Sequence, residues 1–492
     1  MPPYFTVLAV REFLKKNYKA VAAVAAAVVF LAVNHVLAVN DQLWFMVVPP
    51  ALVVLLLFLK NMDYALMAMA FFTPFSINVA LLGESELSLP VEPMMILFSV
   101  VFLVRAAIER GYDRRLLKHP VSIAVYAMLA WMLVTSATSQ LPLVSFKHTA
   151  ARLWFVVPFF FAAAYIFRDG RRIRQFFWCY AIGLIVVILI TTGRTVGHLH
   201  DLSTLHHAMN PFYNDHTAYG CVIALMLPAA FYFIFSRNSR GWMRLWWVAL
   251  FGVLVLGLYL SFSRAAWISV VVAVVVFFAI KMGLKIKWMI ACFFVGVALF
   301  FTYQGDLLYK MGKNSTDSST ELSSQVKSMS NISTDASNLE RLNRWASALR
   351  MWREHPVTGT GPGTYQFLYA SYQRSYQLSV ISTNAGDLGN AHSEYIGPLA
   401  EQGVPGVAIV GVVFMLTFAT GVKVYRTAKS KPVANTALAF TLSLLTYYVH
   451  GAFNNFLDTD KLSVPFWGFT AVVVALDVFC EKKSAKPSER PK

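Results

Sequence analysis

The chain predicts an all-α polytopic membrane protein of about fourteen (12–14) transmembrane helices, with one long outward loop carrying short helices. Three observations carry that prediction. Hydrophobic residues make up 57% of the 492 positions and mean hydropathy is +0.56, in repeated apolar runs long enough to cross a bilayer. Those runs lack strand-like alternation, and a span in lipid must satisfy its own backbone hydrogen bonds, so the spans are helices. Between Phe301 and Gly403 the apolar pattern stops for roughly a hundred residues, the length of a functional loop rather than a connector.

Spans are expected at 20–38, 43–59, 64–82, 91–108, 121–137, 150–167, 175–193, 216–236, 244–262, 265–281, 287–304, 404–422, 433–452 and 463–480. The organisation that follows is eleven spans in 1–304, a loop or lid domain at 305–403, three spans in 404–480 and a basic cytoplasmic tail at 481–492. Arg105, Arg110, Arg114, Arg115 and Lys118 fall in one inter-span loop. Arg168 to Arg174, Arg237 to Arg244, Lys281 to Lys287 and Lys423 to Lys431 fall in alternate loops on the same side. The opposite loops are poor in positive charge and include Gly83-Glu84-Ser85-Glu86, so both termini are expected in the cytoplasm and the long loop outside.

The net charge of +17 is therefore a topology signal and implies no nucleic-acid partner. Cys179, Cys221, Cys292 and Cys480 stand singly in or beside apolar runs, with no CxxC pair or disulfide framework. Arg11, Lys15, Lys16 and Lys19 precede a full-length apolar run without a clear cleavage site, so no cleaved leader is expected. GxxxxGK[ST], HExxH and GxSxG are all missing, which removes support for ATPase, zinc protease and serine hydrolase chemistry.

The long loop has two halves. Residues 312–338 are rich in Ser, Thr and Asn and cannot bury enough surface to offset ordering entropy. From Leu339 on, Arg341, Trp345, Leu349 and Trp352 recur at helical spacing, predicting a short amphipathic helix that ends before His355-Pro356. Gly359-Thr360-Gly361-Pro362-Gly363-Thr364-Tyr365 then reads as a tight glycine turn into an aromatic helix start, and the loop closes on Asn390-Ala391-His392-Ser393-Glu394.

Three polar positions fall at the outward rim: Arg194, Arg264 in Ser261-Phe262-Ser263-Arg264-Ala265-Ala266-Trp267, and His392. Either arginine alone is open to two readings, a side chain snorkelling to lipid phosphate or a functional cation. Two of them beside a histidine would suit a pyrophosphate leaving group, since guanidinium forks bind phosphate oxygens and stay charged in a low dielectric. The histidine could take the proton of an attacking hydroxyl. His198, His200, His206, His207 and His216 crowd another outer loop with Asp201 and Asp215, but their spacing matches no standard metal motif, and neither metal nor other cofactor is expected. Asp458-Thr459-Asp460 reads as solvated loop or helix cap rather than a nucleotide-sugar motif, and His450 as a hydrogen-bonding group inside the bundle.

Several segments resemble the O-antigen ligase and polymerase superfamily. Arg341 to Trp345 with His355 to Phe367 is similar to its R-x-x-x-W helix and P-x-x-G-x-G-x-G-x-[FY] turn. Asn390 to Tyr395, followed by Leu399 to Gly406, is similar to its A-H-[NS]-x-[YF] and L-x-E-x-G-x-x-G motifs, and Ser261 to Trp267 to its T-x-S-R-x-x-[WF] turn. The first half of the chain matches only as a many-helix scaffold. The resemblance implies a metal-independent, inverting glycosyltransferase of the Gram-negative inner membrane, working on its periplasmic face. Its donor would be a glycan on undecaprenyl pyrophosphate and its acceptor lipid A–core (a ligase) or another lipid-linked glycan (a polymerase). By resemblance, His392 and Arg264 carry catalysis, and Arg194 is carried over by topological position alone. Arg344, Gly361, Gly363, Tyr365, Asn390 and Glu394, within the same motifs, would bind substrate. The fourteen spans, where ligases usually have about twelve, and the polar stretch 312–338 depart from the family. A transporter with an outer gating loop is the reading from another class; no inverted repeat supports it.

Overall fold

The computed structural model describes residues 18–40, 46, 48–80, 86–109, 111–196, 208–236, 239–285, 288, 291, 336–378, 382 and 389–481. The chain divides at residue 62 into two compact units. The first holds helices α1 (Tyr18–Val39) and α2 (Val48–Lys60), both dominated by Val, Leu and Ala. Everything below concerns the second.

Among the described residues, the second unit is helical apart from one hairpin. In order come α3 (Met62–Phe72), strands β1 (Ile77–Ala80) and β2 (Glu86–Leu89), α4 (Val91–Glu109), α5 (Arg114–Leu117) and α6 (Pro120–Ala137). Then follow α7 (Pro142–Ile166), α8 (Gly170–Val196), α9 (His216–Ile234), α10 (Trp242–Leu260), α11 (Arg264–Lys281), α12 (Ala336–Glu354) and α13 (Tyr365–Leu368). The last three are α14 (Ile396–Thr427), α15 (Lys431–His450) and α16 (Asp460–Phe479). Among the described residues, nine helices are long and apolar enough to span a bilayer, and the chain is a multi-pass, mostly helical membrane protein.

Two expectations need correction. The span foreseen at 64–82 ends as a helix at Phe72, because Thr73-Pro74 starts a 3₁₀ turn and proline cannot donate to a continuing helix. The chain then forms an antiparallel hairpin, pairing Ile77 with Leu89 and Ala80 with Glu86, a short strand pair within the helical fold. The segment expected to span from 404 is helical from Ile396, inside the stretch read as loop. Of the expected span 287–304 only Trp288 and Ala291 are described, and residues 312–335 of the polar stretch 312–338, with His198, His200, His206 and His207, lie outside the described residues.

Two helices form the centre. Almost every residue of α16 is buried, from Asp460 to Asp477, as expected of a helix that is apolar on all sides. α15 interleaves Thr441, Ser443 and Thr446 with apolar residues and packs on α9, α11, α14 and α16. Small and hydroxyl side chains at such interfaces let backbones approach and bond across helices: Ser443 Oγ accepts from the Ala229 N–H, next to Pro228 inside α9, at 3.3 Å. α4, α10 and α11 carry exposed Val, Leu, Ile, Phe and Trp, the surface a helix presents to lipid.

The bundle has a basic end. Arg426 Nη2 donates to the Leu284 carbonyl at 2.6 Å, and Lys423 pairs with Asp477 at 3.1 Å. His119 stands 3.3 Å from the same Asp477 carboxylate, and Arg115 lies over Phe479. The loops counted as positive in the sequence are thus held together in space. At the opposite end Trp131 reaches the Gln402 carbonyl at 2.9 Å and Tyr395 the Tyr448 carbonyl at 2.7 Å.

Candidate active site

At that second end, α12 and the glycine turn fold onto the start of α14. α12 covers the region where helical spacing predicted an amphipathic helix, and its Leu342, Trp345, Ala348 and Met351 share a buried cluster with Tyr365, Tyr369, Ala391, Ile396 and Ala400. The glycine turn is sewn down by backbone bonds: Thr360 N–H to Ala400 O (3.1 Å), Gly361 N–H to Glu401 O (2.8 Å) and Gln140 N–H to Thr360 O (3.0 Å). Gly361 adopts φ +113°, and a side chain there would run into Ser139 and Ser145 between α6 and α7. Only glycine allows that approach. The buried Glu401 carboxylate accepts the Tyr365 N–H at 2.9 Å and a Gly363 N–H. Gly361, Gly363 and Tyr365, expected to bind substrate, therefore anchor the lid to the bundle.

α14 is broken at Gly403, whose φ of +67° interrupts the helix just before Pro405. The break releases two backbone groups that find partners elsewhere: the Gln402 carbonyl takes the Trp131 indole N–H, and the Val404 N–H donates to the Pro356 carbonyl at 3.0 Å. The first turns of α14 are thereby fixed against α6 and the lid, and they carry the histidine segment just before them.

His392 is partly buried and sits at φ +49°. Among the described residues only it and Phe262, two positions before Arg264, are non-glycine residues with positive φ. Left-handed backbone is unfavourable for such residues and persists where the surroundings impose it, often at functional sites. Here Asn390 Oδ1 accepts the His392 N–H at 3.1 Å, and the Asn390 carbonyl accepts Arg344 Nη1 at 2.9 Å. Arg344 is itself buried, paired with Glu340 at 2.8 Å and stacked toward Tyr369 at 5.4 Å, while Tyr365 OH donates to its carbonyl at 2.8 Å. Asn390 and Arg344, expected to bind substrate, hold the histidine's backbone.

Glu394 points the other way. Its Oε1 accepts Tyr447 OH and the N–H groups of Phe456 and Leu457, each at 2.9 Å, and its own N–H donates to Gly451 O at 2.7 Å. Burial pushes its carboxyl above the usual range. It clasps the turn between α15 and α16. In that turn Asp458 pairs with Arg152 at 2.7 Å. Asp460 is not solvated as the sequence suggested: it is buried against Lys461, with Ser76 completing the cluster.

Around the His392 ring stand Arg341 and Arg344 from α12, Asp215 at the start of α9 and Asn454 after α15. Burial, then the two guanidiniums, hold its pKa down to about 3, against the opposing pull of Asp215 and Asn454. Asp215 caps α9 through Thr217 N–H at 2.8 Å and pairs with His216 at 3.0 Å, bonds that outweigh burial and hold its carboxyl below the usual range. Arg341 Nε also donates to the Phe453 carbonyl at 3.2 Å. Arg341, Asn454 and Asp215 were not singled out as site residues in the sequence; only Arg341 stood in a motif, the Arg341 to Trp345 segment, that signals it.

Arg264 is the first residue of α11 and partly buried. The turn before it packs on α9: a Cβ added at Gly220 would meet Ser261 Oγ and Ser263 Cβ at 2.8 Å. The turn that leads into Arg264 thus borders the first turns of α9. Arg194 ends α8 in an exposed position, with Nη1 donating to the carbonyls of Ala208 (3.3 Å) and Asn210. It ties the loop that leads to α9.

The geometry is a neutral imidazole among guanidiniums at one end of a membrane bundle, suited to accepting a proton beside an anionic group. Comparison with curated proteins gives no match. Residues 248–411 match the family model described as O-antigen ligase, a stretch holding Arg264, Arg344, Gly361, Gly363, Tyr365, Asn390, His392 and Glu394 but not Arg194. The motif segments brought together around one end of the bundle lie within this stretch, so residues 248–411 are similar to the O-antigen ligase family, a likeness that supports the resemblance to the ligase and polymerase superfamily.

Proposed function

We propose that the chain is an O-antigen ligase that moves a glycan from undecaprenyl pyrophosphate to a sugar hydroxyl of lipid A–core. The observation that carries this reading is His392, held in left-handed backbone and kept neutral beside cations within the family's own motif. The acceptor oxygen attacks the donor's anomeric carbon from the face opposite the leaving group. The new glycosidic bond forms as the bond to pyrophosphate oxygen breaks, the hydroxyl proton passes to His392, and polyprenyl pyrophosphate departs with its negative charge. Arg264 and Arg341 meet that charge, with Arg194 nearer the rim. Preorganised cations aimed at developing charge are usually the largest catalytic contribution.

The pKa of His392 gives these cations a second role. A base held near 3 is weak, but bound pyrophosphate offsets the guanidiniums that depress it and raises its basicity once the donor is in place. The polyprenyl tail stays in the bilayer, so the donor enters laterally between helices. The basic end of the bundle faces the cytoplasm and the His392 end the periplasm of a Gram-negative inner membrane, by the positive-inside rule.

Purified full-length protein, given lipid-linked donor with and without lipid A–core, tests the reading. Attachment only in the presence of lipid A–core supports a ligase; chain growth with donor alone makes it a polymerase; flux in proteoliposomes without product makes it a transporter. His392→Ala is expected to insert normally and lose transfer by about 10²–10⁴-fold. Full activity in that variant would overturn the role of His392.

A further inference from the structure

His450, the last residue of α15, is wholly buried, and Asn454 one turn beyond it is buried as completely. The Asn454 amide donates from Nδ2 to His450 Nε2 at 3.1 Å. Its Oδ1 has no hydrogen-bond partner, and Asn454 is one of the polar side chains that act on the His392 ring. The turn carrying Asn454 is pinned on both sides: Arg341 Nε holds the Phe453 carbonyl, and Glu394 holds the Phe456 and Leu457 N–H groups. Asn454 N–H also returns to the His450 carbonyl at 3.2 Å. A buried amide fixed at its backbone and its Nδ2 has one orientation left, and that orientation offers an acceptor to His392.

We propose that Asn454, set by His450, is a positioning residue that orients the His392 ring and fixes its tautomer. A neutral imidazole has one N–H and one bare nitrogen. An acceptor oxygen on one side places the proton on the nitrogen facing it, which leaves the opposite nitrogen bare for the acceptor hydroxyl. A carboxylate orienting a histidine does the same in hydrolase triads and also stabilises the imidazolium. The amide keeps the orientation without adding a negative charge, where Asp215, Arg341 and Arg344 already act on the ring. The base is therefore aimed without being permanently protonated.

This inference rests on the catalytic reading of His392, and the test separates the two. Full-length Asn454→Leu, Asn454→Asp and His392→Ala proteins are compared in the transfer assay across pH 4–9, with thermal unfolding recorded for each. Asn454→Leu should lose about 10²-fold in turnover, the scale of a misplaced catalytic group, with KM for the donor little changed. Asn454→Asp keeps the acceptor and adds a charge, so it should retain most activity at pH 8 while its acid limb moves up by about 1–3 pH units. A purely packing role would not move the pH profile. Full activity in Asn454→Leu, or a wild-type pH profile in Asn454→Asp, overturns the proposal while leaving His392 in place. Should Asn454→Leu fail to fold, the Asn454→Asp profile decides. An active His392→Ala protein would instead sink the underlying reading.

Discussion

Two short loop segments lie side by side on the lid and use left-handed backbone for opposite purposes. At Gly361 the conformation belongs to a residue with no side chain, because the backbone must reach Ser139 and Ser145. At His392 the same region of conformational space is imposed on a residue that would avoid it, and Asn390 and Arg344 hold it there. Where the chain needs only contact it removes the side chain; where it needs a particular side chain it accepts unfavourable backbone and braces it.

Substitutions at the two segments should therefore fail differently. Gly361→Val brings a branched side chain into the Ser139–Ser145 contact at φ +113° and is expected to detach the lid, at about 3 kcal/mol or more. Loss of thermal stability and of protease resistance together would show it, and a normally stable, inactive Gly361→Val protein would break the contrast. Asn390→Ala should leave stability nearly intact yet cut transfer about 10²-fold, because it frees the backbone that aims His392. A variant that melts early but turns over normally would make Asn390 a packing residue.

Glu394 sharpens the comparison, since it lies between the two behaviours. Glu394→Ala strands the Phe456 and Leu457 N–H groups and is expected to lower stability by about 1–3 kcal/mol. Glu394→Gln, which keeps an acceptor, should preserve most activity, and its inactivity would return Glu394 to substrate binding. The smallest effect concerns pH. His392 is held near 3, below its unfolded value, so it favours the folded state fully above about pH 6.5 and loses that contribution as pH falls toward 3. The neutral, proton-accepting form persists through that window. The kcat/KM profile, which reports the donor-free protein, should stay flat from pH 7 to 5, where an unperturbed histidine would cost about 25-fold. A midpoint near 6.5 in that kcat/KM profile would show the ring is not shielded as described.

Much of the fold was legible because membrane helices announce themselves one segment at a time. Apolar runs located α4, α6, α8 to α11, α15 and α16 closely, since each satisfies its own backbone hydrogen bonds. Residues 64–82 misled because their apolar length hid Thr73-Pro74, and the hairpin that follows depends on pairing between Ile77–Ala80 and Glu86–Leu89, a non-local choice. α14 misled for a related reason: Gly403 and Pro405 read as a boundary, yet the helix starts seven residues earlier, before the kink at Gly403. Its broken bonds are taken up by Trp131 and Pro356, partners remote in sequence.

The candidate site divides the same way. Sequence alone determined the helical class, the charge asymmetry of the loops and the motif residues His392 and Arg264, because hydropathy, charge and local spacing are properties of short stretches. Tertiary structure alone decided that Gly361, Gly363, Tyr365, Asn390, Arg344 and Glu394 meet protein groups, and that Asp215, Arg341 and Asn454 converge on the His392 ring. Those neighbours come from segments more than a hundred residues apart in the chain. Their convergence follows from how the bundle packs, and packing is a property of the whole chain.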